Sequence, residues 1–464
     1  MTLAKRTADA PSGPVALRSF GPVNFGSVGG TYRTENTATL NAALASGLAV
    51  QLPDGIIEIS GQLNASTANT RLFGSRNCVI KDARGPGIYF TFQIAADGVE
   101  LNGFTIDGGG ASGTSYTNGH RAIYCNQTVY TPSHVINYTL NLRLIGLRIK
   151  NYEADGIRMD YVQRCEIRNN RIEFCAYHGI MLGAGCFDNT IDGNHVSDIV
   201  PGDGGGTPPY HPAYGITITR DPARSTTDAP ISMRNVISNN RVERVNGWNG
   251  IDSHGSQYTQ IINNYVKHCA IGIHMEDGDA SGVGAYVPSN YITIEGNYII
   301  SNQGTGFGVG PGINLQGAAT NGDPQLSISV VGNTLVNCGT TAGLYTAGSH
   351  GAIHCYIVRG LTVTGNLLEN SQGVGVWLDE VSGAVVTGNV MRGLTSSGGL
   401  QAGIYLADGD CTVAIDINQF DAASPALGIT AASAVDGGFE YKVGTNNIKY
   451  GTMTLIGSNL PTPA

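Results

Sequence analysis

The chain has 464 residues, a net charge of −9, 66 glycines and only 13% charged residues. It has no Lys/Arg block, which argues against a nucleic-acid partner, because phosphate neutralisation needs clustered cations. Its glycines follow no Gly-X-Y period, 41% of its residues are hydrophobic, and no eighteen consecutive residues are apolar, so collagen, global disorder and membrane insertion are all disfavoured.

The first eleven residues, Met1 to Pro11, contain no apolar core of a secretory signal. Export through a secretory signal is therefore not expected, and another way out of the cell, such as lysis, is. The following segment reads Phe20-Gly21, then Gly29-Gly30, then Asn36-Thr37-Ala38-Thr39-Leu40-Asn41-Ala42-Ala43-Leu44, then Gln51-Leu52-Pro53-Asp54-Gly55. This order of parts resembles the opening of pectate-lyase-like β-helix proteins and of phage tailspikes, although the usual acidic Gly-Asp-Gly turn is not kept. The resemblance implies a Phe-Gly strand, a short helix capping the open end of a solenoid, and a strand ending at Leu52. It also implies a homotrimer.

A small pattern then recurs. Asn-x-aliphatic appears at Asn170, Asn194, Asn240, Asn264, Asn297, Asn333, Asn366 and Asn389. Short alternating strands beginning with glycine accompany it at Gly156, Gly179, Gly215, Gly250, Gly272, Gly312, Gly351, Gly375 and Gly403. The period within each strand is two, not 3.6. The tightest repeats recur every 22 to 24 residues, as from Gly250 to Gly272 and from Gly351 to Gly375. That is one coil of a parallel β-helix. The fold expected is therefore all-β: a right-handed parallel β-helix over 63–423, preceded by a capping segment over 1–62 with its helix. Residues 424–464 lose the repeat and read as a C-terminal cap or trimerisation tail. The asparagines are expected to sit at tight corners and to stack as a hydrogen-bonded ladder. Longer spacings mark insertions at 201–213, 221–230, 277–290, 303–311 and 317–325, of the sort that wall a binding face. The nine cysteines are odd in number, contain no CxxC, and read as reduced, small core hydrophobes.

In each Gly-strand the aliphatic residues face in, so the second and fourth residues after the glycine face out. The first outward column reads Arg158, Met181, Thr217, Asp252, His274, Asn314, Trp377 and Tyr405. The second reads Asp160, Gly183, Thr219, His254, Glu276, Gln316, Asp379 and Ala407. A one-residue shift in the Gly351 strand brings His354 beside them. The stripe concentrates carboxylates, imidazoles, amides and aromatics, the residue types that hold and cut a sugar chain. Asp252, His254, His274 and Glu276 are the expected catalytic residues. Arg158, Asp160, Asn314, Gln316, His354, Trp377, Asp379 and Tyr405 are the expected substrate contacts. Asp252 and Glu276 lie diagonally, on the order of 8 Å apart by strand rise and spacing, room for a carboxylate pair to work across a water in glycoside hydrolysis.

The run Asn249-Gly250-Ile251-Asp252-Ser253-His254, followed by Glu276, is similar to the Tyr-Gly-Phe-Asp-Pro-His strand of mannuronan C5-epimerases, which carry an Asp one coil later. Asp252 and His254 match, Glu276 replaces the Asp, and Asn249 replaces the Tyr that the family uses in proton transfer. Elsewhere, Asp155 and His178 read as structural corner residues. His120-Arg121 is a candidate carboxylate binder and His211 a residue overhanging the groove. Asp277 and Asp279 form a turn with a weak claim on a loop Ca²⁺; no other metal or cofactor is expected. The Gly304–Gly310 run lacks a strand–helix context, so nucleotide binding is rejected. Three functions follow: a tailspike-like hydrolytic depolymerase of a bacterial surface glycan, with Asp252 and Glu276 as acid and base; a uronate lyase or C5-epimerase, with an imidazole base and Arg158 or Arg121 neutralising the carboxylate; and a non-catalytic glycan-binding spike.

Overall fold

A computed structural model describes residues 13–25, 29–85, 87, 89–110, 119–126, 136–200, 213–220, 230–277, 287–301, 310–317, 324–339, 351–394, 402–407, 411–420, 429–431, 440–443 and 448–449. The repeat builds a parallel β-helix of three strands per coil. Glu166–Arg168, Arg171–Cys175 and His178–Leu182 make one coil. Thr190–Asp192, His195–Ile199 and Tyr214–Ile218 make the next. Each strand pairs in parallel with its counterpart one coil on, as in Ile167 with Ile191, Ile172 with Val196, and Ile180 with Ile216. The inward aliphatics stack into continuous columns such as Ile191, Ile237, Ile261, Ile294, Val330, Val363 and Val386, all without solvent exposure. A solenoid of this kind buries one long core instead of several compact ones.

The asparagine ladder forms as expected. Each side-chain amide donates to the next asparagine's Oδ1 at 2.9–3.0 Å, from Asn170 through Asn194, Asn240, Asn264, Asn297, Asn333 and Asn366 to Asn389 and Asn418. The corner geometry differs from expectation. The left-handed residue is the one before each ladder asparagine: Asn169, Gly193, Asn239, Asn263, Gly296, Gly332, Gly365, Gly388 and Ile417. The ladder residue serves the corner through its amide and leaves the unusual dihedral to its neighbour.

At the N-terminal end the helix runs from Gly29 to Ala45, longer than the Asn36–Leu44 motif. It lays Leu40, Ala43 and Leu44 onto the first coil, closing the core. Phe20 belongs to a short 3₁₀ turn, Leu17–Phe20, and not to a strand. The ladders begin inside the capping segment, where Val15–Ala16 pairs with residues of Ala49–Gln51. They also continue past residue 423. Ile429–Ala431, Glu440–Val443 and Ile448–Lys449 each extend one of the three ladders, so these strands add a coil where the repeat had faded. All nine cysteines are buried thiols outside any disulfide, and burial pushes the Cys78 and Cys165 thiols up to about 12.

Candidate active site

Strand register aligns the outward columns as the alternation requires, but Met181, Thr217, Asp252, His274, Asn314 and His354 of the first column are buried. The first runs Asn64, Gln93, Tyr124, Arg158, Met181, Thr217, Asp252, His274, Asn314, His354, Trp377 and Tyr405. Beside it run His254, Glu276, Gln316, Tyr356 and Asp379. His354 therefore lies within the first column, between Asn314 and Trp377. At the middle of the stripe the second and third strands of two coils fuse into single runs, Arg241–His254 and Tyr265–Glu276, with a register irregularity between Val245 and Asn249. That irregularity places Asn249 beside the outward column.

The four central residues form one cluster. His254 Nε2 lies 2.7 Å from Asp252 Oδ2, and its Nδ1 meets Glu276 Oε1. His274 Nδ1 lies 3.4 Å from Asp252 Oδ1, and its Nε2 lies 3.8 Å from Glu276 Oε2. Asn249 Nδ2 donates to Asp252 Oδ1 at 2.7 Å and contacts His274 Nδ1 at 2.9 Å. Thr217 Oγ1 donates to Asp252 Oδ2 at 3.2 Å. Burial opposes ionisation of Asp252, but His254 and His274 outweigh it and hold the carboxyl well below its usual range. Burial likewise opposes charge on His254, yet the flanking Asp252 and Glu276 raise its affinity for a proton well above that of a free imidazole. Glu276 is lowered, with His254 overcoming burial, and His274 is raised, with Glu276 the largest contributor against burial.

This geometry revises the expected roles. A ring, not a water, occupies the space between the two carboxylates: His254 bridges them through both nitrogens. Asp252 is fully buried and its oxygens already accept from Thr217, Asn249 and His254. It orients its neighbours. Glu276 and His254 keep 28% and 22% of their side chains exposed and form the face of the cluster that meets solvent. Neither arginine proposed for a substrate carboxylate reaches this centre. Arg158 sits three coils away in the column and pairs with Asp160 at 3.3 Å. Arg121 donates to buried Asp155 at 2.6 Å.

The remaining expectations divide. Asp155 binds His178 at 2.7 Å as well as Arg121, a buried structural cluster. His120 is held by Asp82 at 2.9 Å, Asp82 also takes two hydrogen bonds from Arg84 Nε, and both His120 and Arg121 are buried. Asp277 accepts from Ser289 N and Gln325 and is buried. His211, Asp279 and residues 304–309 lie outside the described residues. Among the described residues, no group of three or more acidic, histidine or cysteine side chains is arranged to hold a metal.

Downstream of the cluster, Trp377 packs against Tyr405 with ring centroids 4.5 Å apart and faces His354 at 6.4 Å, and Trp377 and Tyr405 are half-buried. His354 Nδ1 contacts Asn314 Oδ1 at 2.7 Å. Gln316 is exposed and Asp379 half-exposed. Three residues escaped the sequence reading. Tyr124 stands in the first column upstream, stacked on Phe90 at 4.5 Å, with Arg158 over its ring. Its strand lacks the glycine that starts the others, though its alternation, Ala122-Ile123-Tyr124-Cys125, was visible. Tyr356 enters the second column through the shifted Gly351 strand. Tyr214 precedes its glycine, stacks on His178 and sets its ring edge-on to His254 at 5.8 Å.

The family model described as right handed beta helix region matches residues 87–227 and 210–448. Among curated proteins, none matches the sequence. Several solved structures share the fold. The A-module of the mannuronan C-5 epimerase AlgE6 of Azotobacter vinelandii is 13% identical, with a TM-score of 0.50, covering 96% of this chain and 100% of that one. Tailspike protein 3 of bacteriophage CBA120 is 12% identical, with a TM-score of 0.56, covering 97% of this chain and 62% of that one. PfbA, a surface adhesin of Streptococcus pneumoniae, is 15% identical, with a TM-score of 0.57 and 94% of each chain covered. An epimerase module, a tailspike and an adhesin on one scaffold mean that the likeness speaks for the fold, while function rests on the site.

Proposed function

The chain belongs to the right-handed β-helix family, and from that premise we propose that it is a tailspike-like depolymerase hydrolysing a bacterial surface polysaccharide laid along the stripe. The observation that carries this reading is the Asp252–His254–Glu276–His274 cluster, its ionised carboxylates opened to solvent at Glu276 and His254, in the middle of a column lined by amides and aromatics. Hydrolysis develops positive charge at the sugar carbon. Two ionised carboxylates against the His254 imidazolium favour that charge. A uronate lyase or epimerase instead needs positive charge to neutralise a substrate carboxylate, and the centre has no excess of it.

In this reading the His254–Glu276 pair holds the transferable proton and gives it to the glycosidic oxygen as the carbon–oxygen bond breaks. Water adds to the sugar carbon, and its proton returns to the site. Asp252 holds His254 by its far nitrogen. Arg158, Gln316, Trp377, Asp379 and Tyr405 contact the chain on either side, with the buried Asp160, Asn314 and His354 beneath them. The reading extends to a homotrimer on a virion tail, which light scattering of the purified protein tests through its mass.

Incubation with a panel of bacterial surface polysaccharides, followed by mass spectrometry, tests the reaction. Shortened chains with new reducing ends and no unsaturated sugar are expected, with Glu276→Gln slower by about 10²–10⁴-fold. Equal turnover by wild type and Glu276→Gln would sink it. The second reading, elimination or C5-epimerisation, is favoured by the imidazole found between the carboxylates. An ultraviolet-absorbing unsaturated product, or deuterium uptake at C5 without cleavage, identifies it.

A further inference from the structure

Asn249 has no solvent exposure and touches two members of the cluster with one nitrogen. Its proton arrangement follows from what it touches. Asp252 is ionised and only accepts, so the amide must turn an N–H toward Oδ1, 2.7 Å away. The other N–H of the same nitrogen then meets His274 Nδ1 at 2.9 Å, which must accept it. Turning the amide over would set its oxygen against a carboxylate oxygen. With Nδ1 accepting, the ring proton of His274 sits on Nε2. That nitrogen is buried, has no hydrogen-bond partner, and faces Glu276 Oε2 at 3.8 Å. Glu276 is thus approached on Oε1 by His254 Nδ1 and on Oε2 by His274 Nε2.

We propose that Asn249 is a positioning residue that fixes His274 as the Nε2–H tautomer, so that an N–H and not a lone pair backs the groove-facing carboxylate of Glu276. The proposal rests on the depolymerase reading for its consequence, but its first test does not. The opposite tautomer would donate from Nδ1 to Asp252 and turn a lone pair on Glu276 Oε2, repelling the charge the reaction uses. Asp252, Glu276 and His254 are the charged groups around this ring. The two carboxylates raise its affinity for a second proton, and that proton must displace the Asn249 hydrogen bond to bind Nδ1.

Nitrogen-15 NMR of the full chain, labelled at histidine and assigned with His274→Gln, reads the tautomer without any substrate. The expected result is an unprotonated Nδ1 and a protonated Nε2 for His274 in the wild type. A protonated Nδ1 in the neutral ring would overturn the proposal, whatever the protein does to glycans. Asn249→Ala should shift neutral His274 to the Nδ1–H form. On an active glycan, the same variant should move the acid limb of the kcat/KM profile to higher pH, because Glu276 loses a donor. An unchanged His274 signature in a folded Asn249→Ala also overturns it. Loss of all glycan activity in the wild type, with the tautomer as expected, would instead sink the depolymerase reading and leave Asn249 in its role.

Discussion

Replacing Trp377 by alanine separates the groove from its chemistry. Trp377 stands in the same outward column as Asp252, four strand steps downstream through His274, Asn314 and His354. At ~4.8 Å per step that is on the order of 19 Å. No oligosaccharide too short to bridge that distance touches the ring from the cluster. A half-buried tryptophan that anchors a ligand typically contributes about 2 kcal/mol when truncated, which is roughly a 30-fold change in binding. Trp377→Ala is therefore expected to raise KM for polymer roughly 30-fold while leaving kcat within about twofold, because no hydrogen bond or ion pair of the central cluster involves Trp377. Short oligosaccharides that reach only the cluster should be cleaved at wild-type rates. The assay is a length series of a cleavable glycan, with reducing ends measured at each length for both proteins. The gap between wild type and variant should open only beyond the bridging length. A uniform loss across all lengths, or a loss confined to kcat, would refute the placement of the chain along the solenoid axis.

The titration of the cluster sets a stability window. His254 has a raised folded-state pKa, so its contribution is complete below the ordinary imidazole range and is lost as pH climbs through the raised value. Asp252 and Glu276 are depressed, so theirs is complete above the ordinary carboxylate range and is lost as pH falls. The urea midpoint should thus peak between those two ranges, and His254→Gln should remove most of the decline on the alkaline side. Asn297→Ala deletes hydrogen bonds to Ile261 O, to Asn333 Oδ1, and from both nitrogens of Asn264. At about 1 kcal/mol each the loss is about 4 kcal/mol, read as a lower urea midpoint; a loss under 1 kcal/mol would show the ladder to be ornamental. Ile417 occupies, at φ 55°, the left-handed corner that glycine holds in the four preceding coils, and is 57% exposed. That conformation costs a branched residue roughly 1–2 kcal/mol, and glycine returns about 0.5–1 of it through unfolded-state freedom. Ile417→Gly should therefore stabilise by roughly 0.5–1 kcal/mol, and destabilisation would contradict the strain.

The fold was legible because a β-helix repeats its physics every coil. A period of two inside each strand and a period near 23 between Gly156 and Gly179 mean that each inward aliphatic is stacked on its equivalent. The same logic places Asp252 opposite His274 and His254 opposite Glu276 from the repeat alone. It failed at the ends and corners, where the coil is closed by other means. Glu440–Val443 extends a ladder in a coil that keeps the asparagine, Asn447 before Ile448, but has no clear glycine–aliphatic strand to accompany it in the sequence. The left-handed corner is filled by Asn, Gly or Ile, a mixed signal that hid one position away from the conspicuous asparagine.

Within the site, stacking distance was legible and proton arrangement was not. Register gives the neighbours of a residue across coils, but side chains on one strand also meet. His254 turned its Nε2 back along its own strand to Asp252, at 2.7 Å, instead of leaving a gap for water. That single rotamer leaves Asp252 buried and Glu276 as the half-buried carboxylate at the solvent face, so the proposed hydrolysis relies on one accessible carboxylate where two were expected. Asn249 was noted only as a replacement for tyrosine, and its contacts escaped for a related reason. It precedes its glycine and belongs to neither outward column, and only the register irregularity after Val245 brings its amide to Asp252 and His274. The position where the similar epimerase strand carries a tyrosine is therefore the position that here fixes a neighbour's proton, so a reaction that depends on an ionisable side chain at that place would have to find its proton from His254, His274 or Tyr214 instead.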